Sequence, residues 1–174
     1  MCCTVPTIDK PELQKAAGAT CRHCNKGCDI YETRPGVCHT FFCGWRQLEI
    51  FGDEWRPDRC GVYAELETDI PDHMMSSIGI SLTLIANPLK TVRQPWFVDF
   101  IVTGIRGGVP LFLALPGPAG YKGAKVSLNT PEMTRAASGS RGDVKQLLEK
   151  ALKVLAGYSF KPHAMQYHGN DVSR

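Results

Sequence analysis

Apolar and polar residues alternate through GVYAELE at 61–67, with Val62, Ala64 and Leu66 on one side and Tyr63, Glu65 and Glu67 on the other. Successive side chains of an extended segment point to opposite faces, so the pattern predicts a half-exposed β-strand. IGISLTLIAN at 78–87 predicts a second strand. From Pro95 the spacing becomes helical. Phe97, Phe100, Ile101 and Ile105 share one face, Pro95 takes the first position and Gly107-Gly108 ends the run. VPLFLALP and YKGAKVSLN then predict two strands joined through GPAG as a hairpin. Thr130-Pro131-Glu132 reads as N-cap, first position and acidic first turn of a short helix. A longer helix follows Ser140, whose spacing to Asp143 resembles a capping box. Its Val144, Leu147, Leu148, Ala151, Leu152 and Leu155 form an amphipathic stripe.

The first third of the chain shows no such period. Pro11 is placed to open a turn of helix through Glu12, Leu13 and Gln14, closed by Gly18. Pro35-Gly36 suits the centre of a tight turn that returns Cys38 towards Cys28, and Ile30-Tyr31 suits a small apolar support. WRQLEIFGDEWRP at 45–57 reads as a short helix and a turn anchored by Trp45, Leu48 and Trp55. The expected fold is α+β: an irregular N-terminal cysteine-rich metal-binding module packed on a small antiparallel sheet with two or three helices. Its divisions are a module at 1–60, an α+β domain at 61–160 and a polar tail at 161–174.

Composition narrows the class. With 43% hydrophobic and 21% charged residues in 174, the chain has enough apolar surface to fold. Its first twenty residues lack the basic and apolar regions of a secretory signal. Its longest apolar run, at 109–116, is far short of the roughly 20 residues that span a bilayer, so a cytoplasmic protein with no membrane contact is expected. A net charge of +3 gives no reason to expect nucleic acid.

The cysteines change the picture most. Five of the eight lie in 23 residues, Cys21, Cys24, Cys28, Cys38 and Cys43, with Cys2 and Cys3 upstream and Cys60 alone downstream. In a reducing compartment such crowding points to metal rather than disulfides. The C-x2-C pair of Cys21 and Cys24 lets one tight turn offer two sulfurs to a metal at about 2.3 Å. The remaining gaps are irregular, which suits an iron-sulfur cluster better than a zinc ribbon built from two short pairs, and zinc is the alternative. The ligand candidates are Cys21, Cys24, Cys28, Cys38 and Cys43, then Cys3, then Cys2. Cys60, entering a strand, is assigned to the core, and His23 and His39 are read as neighbours of the site rather than ligands. Arg22, Arg34, Arg46, Arg56 and Arg59 are available to offset the negative charge of bound thiolates.

CRHCNKGCDIYETRPGVCHTFFCGWR, followed by EWRPDRCGV, resembles the YkgJ-like cysteine-cluster family, described as zinc- or iron-chelating. The family pattern is a cysteine, Ile-Tyr-Glu-x-Arg-Pro and two further cysteines, here Cys28, Ile30, Tyr31, Glu32, Arg34, Pro35, Cys38 and Cys43. The resemblance covers residues 1–60 and implies a cysteine-bound metal centre. A larger relative, the flagellin lysine methylase, is associated with an iron-sulfur cluster. The family's usual C-x-x-C-C-like opening is represented here by Cys2 and Cys3 alone.

The expectation is therefore an intracellular metal-binding protein with a structural or redox role. The alternatives are a cluster-dependent, methylase-like protein-modifying enzyme and a metal-stabilised adaptor or assembly subunit with a protein partner. GPAGYKGAK lacks the spacing of a phosphate-binding loop, Arg141-Gly142-Asp143 reads as a helix start, and His73, His163 and His168 belong to no catalytic arrangement.

Overall fold

The structure, a computed structural model, describes residues 3–74 and 76–162. Within these the chain forms two compact units, one of residues 3–42, 116–123 and 160–162, the other of 43–115 and 124–159. Residues 43–60 thus group with the second unit. Most of the expected polar tail lies outside the described residues. Among the described residues no helix is long and apolar enough to cross a membrane.

In the first unit, strands β1 (Ile8–Lys10) and β2 (Leu13–Lys15) form an antiparallel hairpin, with Ile8 opposite Lys15 and Lys10 opposite Leu13. Pro11 and Glu12 are its two-residue turn, where the sequence predicted a helical turn. Proline's fixed φ serves a turn as well as a helix start. What decides between them is the pairing of Asp9 with Gln14, whose Nε2 donates to Asp9 Oδ1 at 3.2 Å. Helix α1 (Gly36–Thr40) likewise replaces the tight turn expected at Pro35-Gly36. Pro35 is its N-cap residue, and the Pro35 carbonyl accepts the amides of both Cys38 and His39.

The second unit begins with α2 (Gly44–Gln47), a 3-10 turn at Asp53–Trp55 and α3 (Pro57–Cys60), which ends on Gly61 with φ at 71°. Strands β3 (Val62–Glu67) and β4 (Gly79–Leu84) follow, then α4 (Pro88–Thr91), α5 (Pro95–Arg106), β5 (Leu111–Leu115) and β6 (Ala124–Ser127). Helices α6 (Pro131–Ser138) and α7 (Arg141–Ala156) close the unit. The sheet order is β3-β4-β5-β6. The outer pairs are antiparallel and β4 runs parallel to β5, so the α+β class stands and the main sheet is mixed rather than antiparallel. The cause is α5, which carries the chain back before β5 begins, as a parallel pair requires.

Periodicity placed β3 to β6, α5, α6 and α7 as observed. Thr130 Oγ1 caps α6 by accepting from Met133 N, while Ser140 Oγ caps α7 from Gly142 N rather than from Asp143. Leu82, Ile101, Leu113 and Leu148 are fully buried. A ring cluster of Phe51, Trp55, Trp96, Phe97 and Phe100 joins the 3-10 turn to α5, with centroids 4.6 to 6.2 Å apart.

Strand β3 departs from strict alternation, since Tyr63 is buried like Val62 and Ala64 while Leu66 is 39% exposed. Helices α2 and α3 both pack against β3. The α2 contact depends on a missing side chain: a Cβ on Gly44 would lie 2.9 Å from the Ala64 carbonyl oxygen. Further along, burial pushes the Glu65 carboxyl above its ordinary pKa, aided by Glu67 and opposed by a Tyr63 hydrogen bond and by Lys125.

Two outcomes follow. Gly44→Ala should destabilise the chain by about 1–3 kcal/mol in denaturant titration, because the atom it meets is backbone. Gly36→Ala, which meets nothing within 4 Å, should leave the midpoint in place. For Glu65, the raised folded pKa means its favourable contribution is complete below the ordinary carboxylate range and is lost as pH rises through the raised value. Glu65→Gln should therefore raise the melting temperature at neutral pH and lose that advantage in acid.

Candidate metal centre

Three cysteines of the first unit are joined by backbone hydrogen bonds. Cys21 N–H donates to the Cys3 carbonyl at 2.7 Å, and Cys24 N–H donates to the Cys21 carbonyl at 3.0 Å, closing the C-x2-C turn. Cys24 then stands opposite Cys28 in an antiparallel β-bridge. Three residues, Asn25-Lys26-Gly27, reverse the chain between them, with Lys26 in the left-handed region at φ 58°. Backbone hydrogen bonds therefore join Cys3, Cys21 and Cys24, and the bridge, held by bonds of the neighbouring residues, sets Cys28 opposite Cys24. Cys38 sits on α1, a short helix without a buried residue.

Lys15 holds this arrangement from beneath. It is 95% buried, with a relative exposure of 5%. Its Nζ donates to the carbonyls of Thr4 at 2.8 Å, Ala19 at 2.9 Å and Ala16 at 3.1 Å. These acceptors offset much of the hydration that the ammonium loses. Thr4 adjoins Cys3 and Ala19 lies two residues before Cys21, so the same group ties together the segments that the Cys3–Cys21 bond joins. Sequence reading missed Lys15. Its signal is the strand period, which puts Leu13 and Lys15 on one face once β2 is recognised.

Four of the arginines named as counter-charges have defined neighbours. Arg22 Nε donates to His23 Nε2 at 3.1 Å, occupying that ring nitrogen. The Arg34 guanidinium lies 4.0 Å from the centroid of the Tyr31 ring and donates to the Tyr31 carbonyl. Of the pair expected as a small apolar support, Ile30 is half-buried and Tyr31 is 59% exposed. In the second unit Arg56 pairs with Asp58 at 2.9 Å, and Arg46 and Arg56 each stand 5.9 Å from the Trp45 ring centroid.

The expected ligand set is thus distributed. Cys3, Cys21, Cys24, Cys28 and Cys38 belong to the first unit, and Cys43, the N-cap residue of α2, belongs to the second. Cys2 lies outside the described residues. Among the described residues no three Cys, His, Asp or Glu side chains form a group able to hold a metal ion. Cys60 ends α3 instead of entering a strand and is half-buried. Burial pushes its thiol pKa up, against the opposing hydrogen bond from Val62 N–H to Sγ at 3.3 Å. Two surface depressions, one around α4 and one between α6 and α7, contain no cysteine.

No family model, curated protein or solved structure matches the chain.

Lys15→Met should remove the ammonium from the carbonyls of Thr4 and Ala19, at a cost of about 1–3 kcal/mol for each one left buried and unpaired, while the Ala16 carbonyl keeps the Ala19 amide at 3.2 Å. The expected result is faster amide exchange at Cys21 and Cys24 with the core strands β4 and β5 unchanged, read by hydrogen exchange and mass spectrometry. The Cys60 thiol should alkylate more slowly at neutral pH than a cysteine in an unstructured peptide, its rate rising only as pH passes the ordinary thiol range. Peptide-resolved alkylation kinetics check this.

Proposed function

We propose that the chain is a metal-binding protein whose N-terminal cysteines hold an iron-sulfur cluster, with zinc as the alternative. The observation that carries this reading is the lack of an apolar core where the thiols are densest. Among the described residues of the first unit only Leu13, Lys15 and Cys21 are buried. Units this small offset the entropy of ordering poorly and use staples such as metals or disulfides. Cys21, Cys24, Cys28, Cys43 and Cys60 are unpaired thiols, and a structural metal contributes directly to folding, about 10–16 kcal/mol for zinc in finger peptides.

The donors are sulfur, which suits zinc and iron-sulfur clusters over hard cations. Cys21, Cys24, Cys28 and Cys3 are the first ligand candidates because backbone bonds link Cys3, Cys21 and Cys24 and the β-bridge sets Cys28 opposite Cys24. Cys38, Cys2 and Cys43 complete the candidates. The irregular spacing favours a cluster over a zinc ribbon. The site's role is structural or redox, in a compartment reducing enough to keep the thiols available.

Protein purified without oxygen should contain about one cluster or one zinc ion per chain, measured as iron, sulfide and zinc beside a visible spectrum. Less than about 0.2 equivalents of any metal would overturn the reading. Cys21→Ser, Cys24→Ser and Cys28→Ser should each lose most of the metal, whereas Cys60→Ser should keep it.

A further inference from the structure

The bridge between Cys24 and Cys28 has a definite geometry. In an antiparallel pair, opposed residues either exchange both of their own hydrogen bonds or are flanked by bonds between their neighbours. Here the bonds are those of the neighbours: Asn25 N–H to the Gly27 carbonyl at 3.0 Å, and Asp29 N–H to the His23 carbonyl at 2.9 Å. Cys24 and Cys28 are therefore a non-hydrogen-bonded pair. In such pairs the Cα atoms stand about 4.5 Å apart and the side chains are at their closest. That spacing falls inside the window of about 4.4–6.8 Å that a disulfide spans. Both thiols are unpaired and half-buried, within reach of a small reagent, whereas Cys21 across the C-x2-C turn is buried.

We propose that Cys24 and Cys28 are a redox-active dithiol, oxidised by a low-molecular-weight disulfide such as oxidised glutathione to a cross-strand disulfide. The thiolate of one cysteine attacks a sulfur of the reagent, breaks its S–S bond and expels one thiolate, leaving a mixed disulfide. The second cysteine attacks the protein-side sulfur and expels the other thiolate. The pair loses two electrons and two protons, and the reagent leaves as two thiols. Resting on the metal-binding reading, the same step removes two sulfur ligands and releases the metal, so the site couples metal retention to the thiol–disulfide balance around it.

The full chain, purified without oxygen, is treated with excess oxidised glutathione, its remaining thiols are alkylated, and it is digested with trypsin. Cleavage after Lys26 separates the two cysteines, so the link appears as peptide 23–26 joined to peptide 27–46 through Cys28. The expected result is loss of alkylation at Cys24 and Cys28 together, a decrease equal to two hydrogen atoms in intact mass, and metal release in step with the link. In strong denaturant the preference should give way to mixed pairings. Cys24 joined chiefly to Cys21, alkylation of both residues after treatment, or the same preference in denaturant would each overturn the inference. A Cys24–Cys28 link in a chain that never held metal supports the dithiol and overturns the metal reading. Bound metal with the link elsewhere does the reverse.

Discussion

An ammonium group that leaves water must find other dipoles to surround it, and Lys15 finds the carbonyls of Thr4, Ala16 and Ala19. Those three oxygens lie on either side of the place where the N-terminal segment meets the chain entering Cys21. Because the charge is buried, letting go of any one of them is costly. The hairpin of β1 and β2, the Cys3–Cys21 bond and the C-x2-C turn all hang from that point. Where another small unit would use a cluster of leucines, this one uses a cation and backbone. The second unit is built the ordinary way, on Leu82, Ile101, Leu113 and Leu148, with every central strand position of β5 but the last buried.

This contrast explains what could be read in advance. Helices α5, α6 and α7 were legible because their apolar stripes and caps are encoded locally, and strands β3 to β6 because short apolar runs between turn residues have few other uses. The parallel pairing of β4 with β5 was not legible, since strand direction is set by where a connecting helix packs, and no local pattern carries that. Leu66 and Tyr63 exchanged their expected environments for a similar reason: α2 and α3 cover the start of β3, and the close approach at Gly44 that permits this involves residues twenty positions apart.

In the cysteine-rich stretch the sequence supplied candidate thiols, but not which of them become neighbours. The thiol count and the C-x2-C pair are the basis of the proposed metal chemistry. Which cysteines become neighbours depends on bonds such as Cys21 to Cys3, which span irregular chain and have no periodic signature. Pro11 and Pro35 show how little one residue decides alone. Each fits both a turn and a helix start, and Pro11 became a turn while Pro35 became the cap of α1 because of the hydrogen bonds their neighbours found.

The connection between β5 and β6 belongs to the first unit, where the Gly120 amide donates to the Ala17 carbonyl and the Lys122 amide to the Lys161 carbonyl. A unit composed of such distant pieces cannot be completed in the order in which it is synthesised. At about 5–20 residues per second, the ribosome presents the cysteine-rich stretch several seconds before residues 116–123 exist, and residues 160–162 come later still. The thiols therefore emerge into the cell ahead of the chain they will fold with. Whatever protects or occupies them in that interval acts on a nascent segment, before the finished unit exists.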